Sequence, residues 1–152
     1  MKVECDKERK TVKISQGAFA RKLLAAFGID DTSKFAPTPL PAEPQFQKFE
    51  GVASAEDQYR MMVLCGGLQW LQTCTRPDLA FPTNMLARYA SNPSPQHVDY
   101  AQRVLRYLAG TVDLGITYHG TDAVLNSGGY DITNKVIGAV DSDLGGCKDT
   151  EK

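Results

Sequence analysis

Asp141 and Asp143 stand two residues apart in the stretch VIGAVDSDLGG, just past an apolar run that predicts a strand over Val136–Val140. Side chains on a strand alternate with period two, so both carboxylates fall on one face and are placed to share a divalent cation loosely. Two-metal phosphoryl chemistry needs several carboxylates from separate elements. The pair completes no such centre, and the chain as it stands is expected not to be an enzyme. A second pair, Asp30 and Asp31, follows Gly28 at the end of a helical pattern and reads as a loop. A thiol nucleophile would have to come from Cys65 or Cys74 with His97 as its base. Cys65 lies in a strongly apolar helix, where burial raises a thiol's pKa and leaves it inert. Cys5, Cys65, Cys74 and Cys147 show no C-x-x-C spacing, and His97 and His119 stand apart. That pattern predicts reduced, mostly buried thiols and no structural zinc.

Binding rather than turnover is what the remaining charged residues suit. Net charge is −1 over 152 residues, but residues 1–34 hold eight basic against five acidic side chains, and residues 111–152 hold three against seven. Lys13, Arg21 and Lys22 fall in the basic end, and Arg103 and Arg106 share one face of the last helical pattern. Such residues suit a phosphate-binding face, which composition alone does not establish. No apolar run approaches the roughly 20 residues that cross a bilayer. The opening MKVECDKERK lacks the apolar core of a signal peptide, so an intracellular protein is expected.

The elements that would position these residues follow from periodicity and punctuation. Val3, Cys5, Val12 and Ile14 alternate with polar residues around Asp6–Lys10, a hairpin pattern. Ser15 is the expected cap of a helix with Phe19, Leu23 and Phe27 on one stripe, which Gly28 ends. Four prolines and no periodicity make residues 35–50 an extended connector along the surface. Ser54 caps the next helix, which from Tyr59 to Leu71 is apolar on nearly every side and reads as a buried central one. Gly66 and Gly67 would let a neighbouring helix approach it. Thr75-Arg76-Pro77-Asp78 predicts a further helix capped by the threonine and kinked at Pro82, with Leu79, Leu86 and Tyr89 inward. Ser94-Pro95 opens the last helix, with Val98, Ala101, Leu105 and Leu108 on its inner stripe. Leu114–Tyr118 and Val136–Val140 then read as strands.

The fold class expected is α+β: mainly helical, about four helices, with an N-terminal β-hairpin and a short C-terminal partial sheet at the other end. Expected boundaries are a hairpin and first helix over 1–34, a connector over 35–53, a helical bundle over 54–112, and strands over 113–152.

Several stretches carry a family resemblance in order. KTVKISQGAFARKLLAAFGIDD followed by APTPLP, YRMMVLCGGLQWLQTCTRPDLAF, LARYASNPSPQHVDYAQRVLRYLAGTVDLGITY and VIGAVDSDLGG together resemble a segment of the Pol polyprotein of copia-type LTR retrotransposons. T-R-P-D and R-V-L-R-Y-L-x-G-T at this spacing are its most specific part. Leu64-Cys65 stand between Val63 and Gly66 like a small insertion, and Ala139, Leu144 and Gly145 depart from the family's usual residues. The resemblance implies the end of the polymerase palm, then the thumb and connection, running into the first strand of ribonuclease H. Asp141 matches that domain's first carboxylate and, through it, a metal ligand. Mg2+ serves the full-length family, and no cofactor is expected in this chain alone. The implied partner is an RNA–DNA or DNA duplex, gripped through Lys13, Arg21, Lys22, Arg103 and Arg106. The competing expectation is a structural or interaction subunit that docks in a larger protein assembly without nucleic acid.

Overall fold

Alternation of apolar and polar residues builds the first element, a hairpin of β1 (Lys2–Asp6) and β2 (Thr11–Ser15) with Lys2 opposite Ser15 and Asp6 opposite Thr11. The structure, a computed structural model, describes residues 1–29 and 34–120. Asp6 sets the turn, its Oδ1 accepting the backbone N–H groups of Glu8 at 3.0 Å and Arg9 at 2.9 Å. β3 (Gly115–His119) pairs antiparallel with β2, giving one sheet in the order β1-β2-β3. The expected Leu114–Tyr118 strand therefore forms, but it joins the hairpin instead of starting a separate sheet at the far end. Residues 136–140, assigned to a second strand, lie outside the described residues, as do Asp30, Asp31, Asp141, Asp143 and Cys147.

Partners across the ladder share a face, so Val3, Cys5, Val12, Ile14, Ile116 and Tyr118 make one side of this sheet apolar throughout. Val3, Cys5 and Tyr118 on that side are exposed.

Four α-helices and a short 3-10 turn make up the rest of the described residues: α1 (Gly17–Ala26), α2 (Ala55–Cys74), the turn Pro77–Leu79, α3 (Ala80–Arg88) and α4 (Pro95–Gly110). Together with the sheet they make the fold α+β, as the sequence predicts. α1 ends as expected. Gly28 takes φ 71°, Ile29 N–H reaches the Leu24 carbonyl and Gly28 N–H the Ala25 carbonyl, the paired bonds of a glycine-terminated helix. Its start differs. Ser15 is the last residue of β2, and Gln16 takes the cap position without a side-chain bond to the helix. Ser54 caps α2 by accepting the Asp57 N–H, and Ser94 and His97 cap α4 reciprocally, backbone to side chain in both directions.

α2 is not buried all round. Met61, Leu64, Leu68 and Leu71 face the core, while Tyr59, Met62, Val63 and Trp70 are 67%, 53%, 43% and 54% exposed. Its two glycines separate accordingly. A Cβ on Gly67 would lie 2.7 Å from Leu23 Cδ1, so this residue allows α1 to pack closely. A Cβ on Gly66 would meet nothing within 4 Å. Pro82 causes no kink either: it is the third residue of α3, where a missing N–H costs no helical bond.

The connector is sewn down rather than loose. Leu40 and Phe46 are buried. The Phe46 ring lies 5.8 Å from that of Tyr89 and 5.6 Å from that of His97. Asn92 Nδ2 donates to the carbonyls of Phe49 and Gly51, and its Oδ1 accepts the Ala53 N–H. No helix among the described residues is long and apolar enough to cross a membrane.

The glycine pair gives a stability test. Gly66→Ala should raise the free energy of unfolding by about 1 kcal/mol, the helix-propensity gain. Gly67→Ala should lose that gain to overpacking against Leu23 and come out destabilised by about 1 kcal/mol or more. Urea denaturation of both variants followed by circular dichroism checks the order.

Candidate nucleic-acid interface

One buried guanidinium ties the end of α2 to the end of α4. Arg76, 2% exposed, sits between the end of α2 and the 3-10 turn. Its Nε donates to Asp78 Oδ1 at 2.9 Å and its Nη2 to Asp78 Oδ2 at 2.7 Å. Nη1 donates to the Thr111 carbonyl at 2.8 Å, and Nη2 also reaches Thr111 Oγ1 at 2.7 Å. The Tyr107 hydroxyl closes the set, donating to Asp78 Oδ2 at 2.9 Å. The two sequence motifs that stand out most are therefore one cluster, Arg76 and Asp78 from T-R-P-D and Tyr107 and Thr111 from R-V-L-R-Y-L-A-G-T. Thr75 does not cap the following turn. It is the C-cap of α2, and its hydroxyl donates to Gln16 Oε1 at 2.8 Å, tying α2 to the joint between β2 and α1.

Burial alone would raise the Asp78 carboxyl. The hydrogen bond and charge of Arg76, helped by Tyr107, outweigh it and hold the group below its ordinary value. Burial raises the Tyr107 phenol, and its bond to Asp78 raises it further.

A cavity of about 440 Å³ opens between β1, β2, the start of α1 and Asp113, which lies between α4 and β3. Lys13 from β2 and Arg21 from α1 both line it, with Lys2 from β1 and two acids, Glu4 and Asp113. Lys22, exposed on α1, lies outside this lining, and so do Arg103 and Arg106 on α4. Arg106 is exposed and among the described residues reaches Gln102, at 3.5 Å. Arg103 is half-buried and donates through Nη2 to Thr38 Oγ1 at 2.9 Å, so part of its bonding serves to hold the connector on α4. The cationic residues named from sequence thus divide: Lys13 and Arg21 come together, and the others do not join them. Lys2, Gln16 and the exposed α2 stripe around Gly66 were missed, because neither a lysine at an edge strand nor an apolar helix residue is distinctive in one dimension.

The thiols fall out simply. Burial pushes the Cys65 thiol up to about 11, which makes it a poor nucleophile at neutral pH. Cys5 is exposed, against the expectation of mostly buried thiols, because it lies on the open apolar face of the sheet. His97 is spent on the α4 cap and the Phe46 and Tyr89 stack. Among the described residues, no group of three or more His, Cys, Asp or Glu is placed to hold a metal ion.

Fold and site thus define an α+β unit with a basic cavity and an open apolar helix stripe. Comparison with known proteins gives it relatives. Over its whole length the chain is 26% identical to a retrovirus-related Pol polyprotein from transposon TNT 1-94 of Nicotiana tabacum, covering 11% of that protein. It is 36% identical over 115 residues, 75% of the chain, to the corresponding polyprotein from transposon RE2 of Arabidopsis thaliana, covering 8% of it. An uncharacterized mitochondrial protein of Arabidopsis thaliana is 30% identical over 91% of this chain, which spans 52% of that protein. The chain spans about a tenth of the length of the Pol polyproteins it matches. These likenesses support kinship with the Pol polyproteins of retrotransposons. No family model matches the chain, and no solved structure matches it.

The ion pair between buried Arg76 and Asp78 predicts acid sensitivity. Asp78 titrates lower folded than unfolded, so its stabilisation is complete above the unfolded carboxylate value and is lost as pH falls through the folded one. Asp78→Asn should remove this contribution and cost roughly 3 kcal/mol by stranding the Arg76 charge. Urea midpoints measured from neutral pH down to about pH 3, either side of the ordinary Asp value, should converge for the two proteins. Separately, a disulfide reagent at neutral pH should label Cys5 at once and Cys65 only on unfolding.

Proposed function

We propose that this chain is the thumb and connection part of a copia-type reverse transcriptase, holding primer–template duplex and carrying no complete catalytic centre of its own. The observation behind this reading is that Lys13 from β2 and Arg21 from α1 line one cavity, with Lys2 from β1 beside them. Sequence-independent grip on a duplex is mostly phosphate neutralisation by Lys and Arg, and convergence of cations on one concavity provides it. The α2 stripe suits the same occupant. Open space at Gly66 lets a sugar–phosphate strand come near the helix backbone, and Tyr59 and Trp70 offer flat surfaces beside it. Lys22, Arg103 and Arg106 would add positive charge to the chain's surface, and Asp141, outside the described residues, would be a ligand only alongside carboxylates from separate elements.

A second reading, a docking subunit working without nucleic acid, is favoured by the apolar face of the sheet, with Val3 58% and Tyr118 55% exposed. Stoichiometric co-purification with a protein, together with no affinity for an RNA–DNA hybrid at low salt, would decide for it.

On the first reading, the chain should bind hybrid duplex weakly and with strong salt dependence. Charge reversal at Lys22 and Arg106 should each lower the slope of log affinity against log salt by about one. Trp70→Ala should weaken binding and leave the slope unchanged, because a stacking surface releases no counterions. Fluorescence anisotropy over a salt series measures both, and a flat salt response in the unaltered protein would rule the reading out.

A further inference from the structure

Three features meet at the start of α1. The helix has no capping side chain and no acid in its first turn, so the N–H groups of Gly17 and Ala18 have no helical partner. Arg21 folds back over this end: a Cβ on Gly17 would lie 3.2 Å from its Nη1, and 3.2 Å from Asp113 Oδ1. A guanidinium held against the positive end of a helix is unfavourable without a negative charge between them. Asp113 supplies that charge, 2.7 Å from Arg21 Nη2, with the two side chains 81% and 60% exposed. The second observation is Gln16, which lines the cavity and is 4% exposed. Its Oε1 is fixed by the Thr75 hydroxyl, which turns Nε2 the other way, and Nε2 makes no hydrogen bond among the described residues.

We infer that this cavity takes one phosphate group, and that the Asp113 carboxylate occupies the anion's place until phosphate displaces it. The donors available are the Gly17 and Ala18 N–H groups, Gln16 Nε2, Arg21 and Lys13. Lys2 is engaged with Glu4 at 2.9 Å, with both side chains well exposed. Exchange is inexpensive because an exposed ion pair contributes little, and a phosphodiester offers two acceptor oxygens to the helix N–H groups and Arg21. Inorganic phosphate and a nucleic-acid strand both carry this group. Only the second source rests on the duplex-holding reading.

Asp113→Asn distinguishes this site from a structural ion pair, since removing an internal competitor strengthens binding whereas removing a structural contact does not. The full chain would be titrated with inorganic phosphate and, separately, with a short RNA–DNA hybrid. Backbone amide shifts of Gly17 and Ala18 and hybrid anisotropy are the readouts, and thermal melting confirms that each variant is folded. Asp113→Asn should tighten phosphate binding by about threefold or more, the scale of one exposed charge pair, and Lys13→Ala should weaken it similarly. Unchanged or weaker phosphate binding by Asp113→Asn overturns the site. Phosphate binding with this pattern but no hybrid binding keeps the site and discards the duplex-holding reading. Hybrid binding together with phosphate binding indifferent to both variants discards the site and keeps that reading.

Discussion

Arg76 carries a full charge with 2% of its surface exposed, and the structure tolerates this only because its donors are directed at fixed acceptors from two places in the chain. Asp78 is next but one in sequence and sits on a 3-10 turn that Pro77 starts. Thr111 and the Tyr107 hydroxyl arrive from the end of α4, more than 30 residues later. A buried pair of this kind adds little stability over a well-packed apolar substitute, yet breaking it strands a charge. Its effect is therefore to exclude alternatives: any register in which α4 ends elsewhere leaves a guanidinium unpaired. Since β3 begins four residues after Thr111, the position of the third strand follows from the same constraint.

The neighbouring Thr75–Gln16 bond carries that constraint to the other side. It locks the end of α2 to the point where β2 becomes α1, and Gly67 lets α1 lie close enough for Leu23 to reach it. The cavity between β1, β2, α1 and Asp113 lies beside these two attachments, and Gln16, which lines it, takes part in the Thr75 bond.

Features whose cause is local were legible in the sequence. The hairpin alternation, the caps at Ser54 and Ser94 and the glycine end of α1 each depend on a few adjacent residues, and each forms. Errors arose where a distant partner competes for the same group. Ser15 has the side chain of a cap, but the β2 ladder claims its backbone. Thr75 has one too, and its hydroxyl goes to Gln16. Pro82 looked too deep in its helix because the preceding turn is 3-10, which shortens α3 from its start. Apolar composition around α2 implied burial on all sides, but the molecule has neighbours for only one face of that helix. β3 could not be assigned its partner from sequence, since pairing depends on where α4 stops. Among the basic residues, sequence identified Lys13 and Arg21 without indicating that they meet, and it gave no sign that Arg103 is tied to Thr38.

Near-zero net charge counts against a nucleic-acid partner only if the charges are evenly spread or mutually cancelled, and here they are neither. Glu4 and Asp113 lie beside Lys2 and Arg21, but all four side chains are exposed, and exposed pairs in water hold each other weakly. Their mutual screening falls further once a polyanion brings a dense field and releases its own counterions. Acids in this arrangement hold the basic side chains in place over the start of α1 while nothing is bound, and they lose little when displaced. The same number of acids held as Asp78 is held, by several bonds to a buried guanidinium, would have closed the site permanently. The chain contains both arrangements, one that fixes the fold and one that leaves positive charge available at its surface.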